Sequence, residues 1–181
     1  GVSKGSPTYK GVIIALADGP VKSIADIKGK TMGFGDNAST SSHLIPRAFL
    51  ARAGLIGEKD YKLVHLGTHD AVARSVQAGQ VQAGGLSQEI FNALVAKGTI
   101  DGTKVKVLAE SDPIPNYPMV MQGSLAPALK DSIKKAFIEL KDAAILKTFR
   151  AEGFVATDDK AYDILRETAK VLNLDLTKFK G

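Results

Sequence analysis

The chain has 181 residues, of which 44% are hydrophobic and 24% charged, with a formal net charge of +5 and no cysteine. These values exclude disulfide-built and thiolate-metal folds, and they fit one domain or two small ones with room for a sizeable core. No apolar run approaches the roughly 18 residues that cross a bilayer. The lysines are dispersed, with Lys134-Lys135 the only adjacent basic pair, so neither a membrane span nor a nucleic-acid surface is expected.

The N-terminus, Gly1-Val2-Ser3-Lys4, has no initiator Met and no signal pattern, as expected of a processed or truncated chain. Residues 11–17 form a continuous apolar run that reads as a buried strand. A helical turn around Ile24–Ile27 follows, with Gly29 placed to end it, and then a strand over 30–35. The next helix is expected from about Ser41 to Ala53, with Leu44, Ala48, Phe49 and Leu55 on one side and Gly54 as its stop. Residues 61–66 alternate as a strand, 70–78 form a helix closed by Gly79, and 81–86 read as a short Gly-rich strand. Residues 88–96 make an amphipathic helix that Gly98 ends, and 104–109 make another strand.

Short strands alternating with helices predict an α/β sheet, mostly parallel. The pattern changes after Met119-Val120-Met121. Pro127 opens a helix running to about Lys141, and helices over 143–151 and 159–172 leave the final third helical. The prolines at 113, 115 and 118 read as a rigid crossover between two packed regions.

Polar candidates gather just past the expected strands. Ser39, Thr40 and Ser41 follow one strand, His69 a second, Glu89 a third, and Tyr117 a fourth. Ligands of open parallel α/β sheets bind outside the carboxyl ends of the strands, so four segments aim polar groups at one edge. Each also has a plainer reading. The hydroxyls can cap a helix instead of holding an oxyanion, Asp70 can cap the helix that starts near His69, Glu89 can simply favour a helix dipole, and Tyr117 can pack. His65 and His69 are four apart, but a strand-to-turn break separates them and no carboxylate or Cys completes a set. No metal site or cofactor is therefore expected. Ser41, His69 and Glu89 have the residue types of a hydrolytic triad, yet there is no Gly-x-Ser-x-Gly elbow. Gly33-x-Gly35 lacks the third glycine of a dinucleotide fingerprint. Binding without chemistry is the simpler account.

Several segments together resemble the phosphonate-binding proteins of ABC importers. They are Ile24-Ala25-Asp26-Ile27-Lys28-Gly29-Lys30-Thr31, Phe34-Gly35-Asp36, Ser39-Thr40-Ser41 with Pro46, Gly67-Thr68-His69-Asp70-Ala71, Gly79-Gln80-Val81 and Ile114-Pro115-Asn116-Tyr117-Pro118. The resemblance covers nearly the whole chain and is strongest over 22–122. It implies a type II periplasmic-binding-protein-like fold, in which two α/β lobes joined by crossover strands close on ligand. Family members are longer at the N-terminus, so one complete α/β lobe plus crossover strands and C-terminal helices is expected here. The implied division is 1–19 as crossover strand and remnant of the first lobe, 20–115 as the ligand-binding lobe, and 116–181 as return crossover and C-terminal helices.

By the same resemblance, Ser39, Thr40, Ser41 and His69 hold the oxyanion, and Glu89 occupies the place that holds a ligand amino group. Tyr117 stands where amine-binding members carry a second acid, which favours methylphosphonate, phosphite or phosphate over aminoethylphosphonate. Gln82 replaces a usual Asp. The implied function is non-catalytic capture of a phosphorus oxyanion for an ABC permease, in the periplasm or on an extracytoplasmic lipid anchor. Two alternatives remain: the ligand-sensing domain of a transcription regulator, which would need a helix-turn-helix that is not visible, and a hydrolase using Ser41, His69 and Glu89.

Overall fold

The computed structural model describes residues 1–175, so residues 176–181 of the expected C-terminal segment lie outside it. The elements in chain order are β1 (Thr8–Tyr9), β2 (Gly11–Leu16), a 3-10 turn (Ala25–Ile27), β3 (Thr31–Phe34), a π-helical turn (Thr40–Leu44) and α1 (Ile45–Arg52). They continue with β4 (Lys62–His65), α2 (His69–Gln77), β5 (Ala83–Ser87), α3 (Gln88–Ala96), β6 (Val105–Glu110) and β7 (Ile114–Pro115). Last come α4 (Pro127–Glu139), α5 (Ala143–Thr148), a second 3-10 turn (Asp159–Tyr162) and α6 (Asp163–Val171).

The chain divides into two compact units, the smaller formed by Gly1–Tyr9 with Pro113–Asp163 and the larger by Lys10–Asp112 with the chain from Ile164 on. The larger unit holds a five-stranded sheet in the order β4-β3-β5-β2-β6. Its β3 pairs in parallel with β4 and β5, whereas β2 is antiparallel to both β5 and β6. The sheet is thus mixed, not the mostly parallel one expected. An α-helix carries the chain over between β3 and β4, β4 and β5, and β5 and β6, which keeps those four strands in one direction. Only a 3-10 turn separates β2 from β3, so no full crossover sets the direction of β2.

The apolar run of β2 has a direct cause. Val12 and Ile14 point into one core cluster with Val76, Leu86 and Phe91, while Ile13 and Ala15 point into another with Met32, Phe34 and Leu50. Both faces of the strand are covered, so the usual alternation with polar residues is absent. Each such fully buried aliphatic side chain stabilises the fold by about 1.5–3 kcal/mol. Gly54 and Gly98 sit at φ 79° and 70°, the left-handed conformation that ends a helix at glycine without steric cost. Gln82 takes up the ladder where β3 begins: its Oε1 accepts from the Thr31 amide at 3.1 Å and its own amide donates to the Thr31 carbonyl at 3.0 Å.

The helix after β3 starts differently from the expectation. Pro46 has no N–H and so cannot donate to the Ser42 carbonyl four residues back. That carbonyl instead accepts from the Gly35 amide at 3.1 Å, and the first turn widens to π geometry before α1 begins at Ile45. The wider turn rotates the buried face to Ile45, Ala48 and Leu50, leaving Leu44 and Phe49 only partly covered.

In the smaller unit β1 pairs antiparallel with β7, and Phe137, Phe149 and Phe154 meet edge to face at 5.0–5.9 Å. No residue of α4 is buried, and among α5 residues only Leu146 is. The expected last helix is split, with a 3-10 turn capped by Asp158 ahead of α6.

Candidate functional site

The chain leaving β3 builds a donor array by local rules. Asp36 closes a turn, its Oδ1 accepting from the Ala38 amide at 2.8 Å and its carbonyl from the Ser39 amide at 3.0 Å. Ser39 then caps the π turn: it is extended (φ −70°, ψ 126°), and its Oγ accepts from the Ser42 amide at 3.1 Å. Its carbonyl accepts from both the His43 and Leu44 amides, at 3.1 and 3.0 Å. The amides of Thr40 and Ser41 are left at the head of the turn without intrahelical acceptors. Among the described residues the hydroxyls of Thr40 and Ser41 have no hydrogen-bond partner in the protein. Ser39 uses a lone pair in its cap, so its own O–H remains to donate.

Ser42, which the sequence reading passed over, holds this array to the sheet. Its buried Oγ donates to the Gly85 carbonyl at 2.5 Å and accepts from the Gly35 amide at 2.9 Å, tying the exit of β3 to β5. The contact needs glycine beneath it, since a Cβ on Gly85 would lie 2.5 Å from Pro46 Cγ. Two signals were in the sequence: a fourth consecutive hydroxyl, and a proline four residues later.

His69 opens α2 beyond β4. Thr68, rather than Asp70, caps this helix, its Oγ1 accepting from the Ala71 amide at 3.1 Å. The Ser87 amide at the end of β5 donates to His69 Nδ1 at 3.0 Å. That nitrogen therefore bears the lone pair, and in the neutral ring the proton sits on Nε2. Burial holds the His69 pKa below its ordinary 6.5, the nearby Asp70 carboxylate opposing it more weakly, so the ring is neutral at pH 7. A triad base has the opposite tautomer, with Nδ1–H donated to a carboxylate.

Glu89 lies two residues past Ser87, half-buried in the first turn of α3, where the helix dipole favours its charge. Hydrogen bonds thus join the ends of β3, β4 and β5 through Ser42 and His69, and they bring Ser39, Thr40, Ser41, His69 and Glu89 to one edge of one sheet. Tyr117 belongs to the smaller unit, where its side chain is 86% exposed and its carbonyl accepts from the amino terminus at 3.1 Å. Among the described residues no cluster of His, Cys, Asp and Glu could hold a metal ion. Beside the Glu89 carboxylate, the edge offers a set of neutral donors: hydroxyls, helix-terminal amides and an imidazole N–H.

Comparison with known proteins gives a consistent result. A family model described as the periplasmic phosphonate substrate-binding protein of ABC transporters matches residues 1–162. The phosphonates-binding periplasmic protein of Escherichia coli (strain K12) is 28% identical over 173 residues, covering 91% of this chain and 51% of its own length. The phosphate-import protein PhnD of Mycolicibacterium smegmatis is 28% identical over 179 residues, covering 91% of this chain and 55% of its own length. A crystal structure of a binding-protein component of an ABC phosphonate transporter from Pseudomonas aeruginosa superimposes with a TM-score of 0.70 at 25% identity, covering 92% of this chain and 58% of that one. This chain spans about half the length of the curated relatives it matches.

Proposed function

The chain belongs to the periplasmic phosphonate-binding family of ABC transporters, and from that premise we propose that it captures a phosphonate or a related phosphorus oxyanion for an ABC permease. The observation that carries this reading is the set of neutral donors on this edge: the Ser39, Thr40 and Ser41 hydroxyls, two unpaired helix-terminal amides, and the Nε2–H that the Ser87 amide imposes on His69. Such donors replace the water shell of a tetrahedral oxyanion without a counter-charge, so the anion is held firmly yet can still be released.

Glu89 faces the organic substituent in this reading and accepts from an amino group when the ligand has one. By the resemblance Tyr117 stands where amine-binding relatives carry a second acid, and this puts methylphosphonate, phosphite and phosphate ahead of aminoethylphosphonate. The net charge of +5 helps steer anions inward over a Debye length of about 10 Å. The protein works outside the cytoplasm and without turnover. No helix among the described residues is long and apolar enough to cross a membrane. The His69 tautomer speaks against the hydrolytic alternative, since Nδ1 has an amide donor where a triad needs a carboxylate acceptor.

The test is calorimetric titration of methylphosphonate, aminoethylphosphonate, phosphite and phosphate into the protein, with a phosphoester turnover assay beside it. Saturable one-to-one heat with at least one oxyanion, lowered by Thr40→Ala, together with no released phosphate, is the expected result. Undiminished affinity in Thr40→Ala would remove the π turn from the site, and turnover would replace binding with catalysis.

A further inference from the structure

One buried histidine takes no part in the donor array. His43 lies inside the π turn and is 1% exposed. Its Nδ1 is 2.6 Å from the Asn37 carbonyl oxygen, and since a carbonyl only accepts, Nδ1 carries the proton. In the neutral ring Nε2 then holds a lone pair, buried and without a hydrogen-bond partner among the described residues. Burial lowers the His43 pKa, with His65 and Arg47 adding to the effect and the Asn37 carbonyl and Asp36 opposing it. The ring is fixed by edge-on packing against Phe34 (5.5 Å) and His65 (4.8 Å). His43 and His69 thus sit within one edge of the sheet in opposite tautomers.

The turn it reaches has few other anchors. Asp36, Asn37 and Ala38 are exposed, and the Asp36–Ala38 and Asp36–Ser39 bonds lie within the turn itself. Among the described residues, the hydrogen bond that joins these three residues to the chain beyond Ser39 is Asn37 C=O to His43. Ser39, where the turn ends, sets the cap and so the direction of the Thr40 and Ser41 amides.

We propose that His43 is a positioning residue for the oxyanion site, its Nδ1–H holding the Asp36–Ser39 turn so that the Ser39 hydroxyl and the Thr40 and Ser41 amides converge. The proposal rests on the oxyanion reading of that edge. A merely space-filling histidine makes a different prediction, and two isosteres separate them. The asparagine amide nitrogen occupies the place of Nδ1, whereas that of glutamine occupies the place of Nε2. Glutamine is nearer to histidine in size, so packing alone favours Gln and the hydrogen bond favours Asn.

Methylphosphonate affinity and amide hydrogen exchange over 36–42 are measured for the wild type, His43→Asn and His43→Gln. The expected result is an affinity about tenfold weaker in His43→Gln, the equivalent of one lost buried hydrogen bond. Exchange at the Ser39 and Ser42 amides is faster in that variant. His43→Asn keeps the affinity and the protection even if it melts at a lower temperature. The reverse order, or equal behaviour of the two variants, overturns the proposal. Should the wild type bind no phosphorus oxyanion, the function proposed above fails, and the exchange comparison still decides whether His43 holds the turn.

Discussion

The two compact units solve the burial problem differently. The larger covers both faces of its sheet with helices and places Phe34, Ile13, Ile14 and Leu50 at 2% exposure or less. The smaller leaves Val120 at 83% and buries nothing from its longest helix, α4. The donor array therefore stands on the part of the chain that its own packing makes rigid. Neutral donors need that rigidity, because without charge they gain affinity mainly from being already in place.

The largest effect should come from the core itself. Phe34→Ala is expected to cost about 4 kcal/mol in urea unfolding, and Phe137→Ala, from the aromatic trio of the smaller unit, less than half of that. Equal losses would break the contrast between the units. Ser42→Ala comes next, at about 2 kcal/mol, because it leaves the Gly85 carbonyl unpaired in a buried place and the Gly35 amide with only its longer bond to the Ser42 carbonyl. It should weaken oxyanion binding in the same calorimetric titration.

A smaller and sharper test pairs two caps. Ser39→Ala and Asp142→Ala each remove the side-chain cap of a helical segment, one in each unit, and each should cost about 1 kcal/mol. Only the first should lower ligand affinity. The pH dependence should also divide between the units, since His43 and His69 both lie in the larger. Burial lowers the folded pKa values of His43 and His69 below the ordinary 6.5, so the unfolded chain binds more protons as the pH falls. The stability of the larger unit should be full above pH 6.5, decline below it, and level off once the lowered folded values are passed. His69→Gln should flatten that decline in unfolding measured across the range. Smallest of all, Tyr117→Ala should change stability by less than about 0.5 kcal/mol, so any loss of affinity it causes reports on ligand alone.

Local signals carried much of this arrangement. The apolar run of β2, the glycine stops after the helices and the span of α3 could be read from neighbouring residues alone. So could the polar segments past β3, β4 and β5. What stayed hidden depends on distant partners. The direction of β2 follows from the lack of a full crossover before β3, and the π turn from an amide that Pro46 lacks and Gly35 supplies. The His69 tautomer is set by Ser87, eighteen residues away in sequence. The importance of Ser42 came from Gly85, a residue with no side chain to draw attention.

Gly85 also limits how this protein can be altered. Every replacement adds at least a Cβ, which would meet Pro46 and push the π turn off the sheet. The turn is therefore closed to gradual adjustment from below, and a variant library aimed at β5 should return few folded clones. Under the proposed oxyanion reading, new ligand preferences are open instead at Glu89, whose side chain is not locked into the hydrogen bonds that seat the turn. Selection for a new substrate should enrich changes there while leaving the amides where they are.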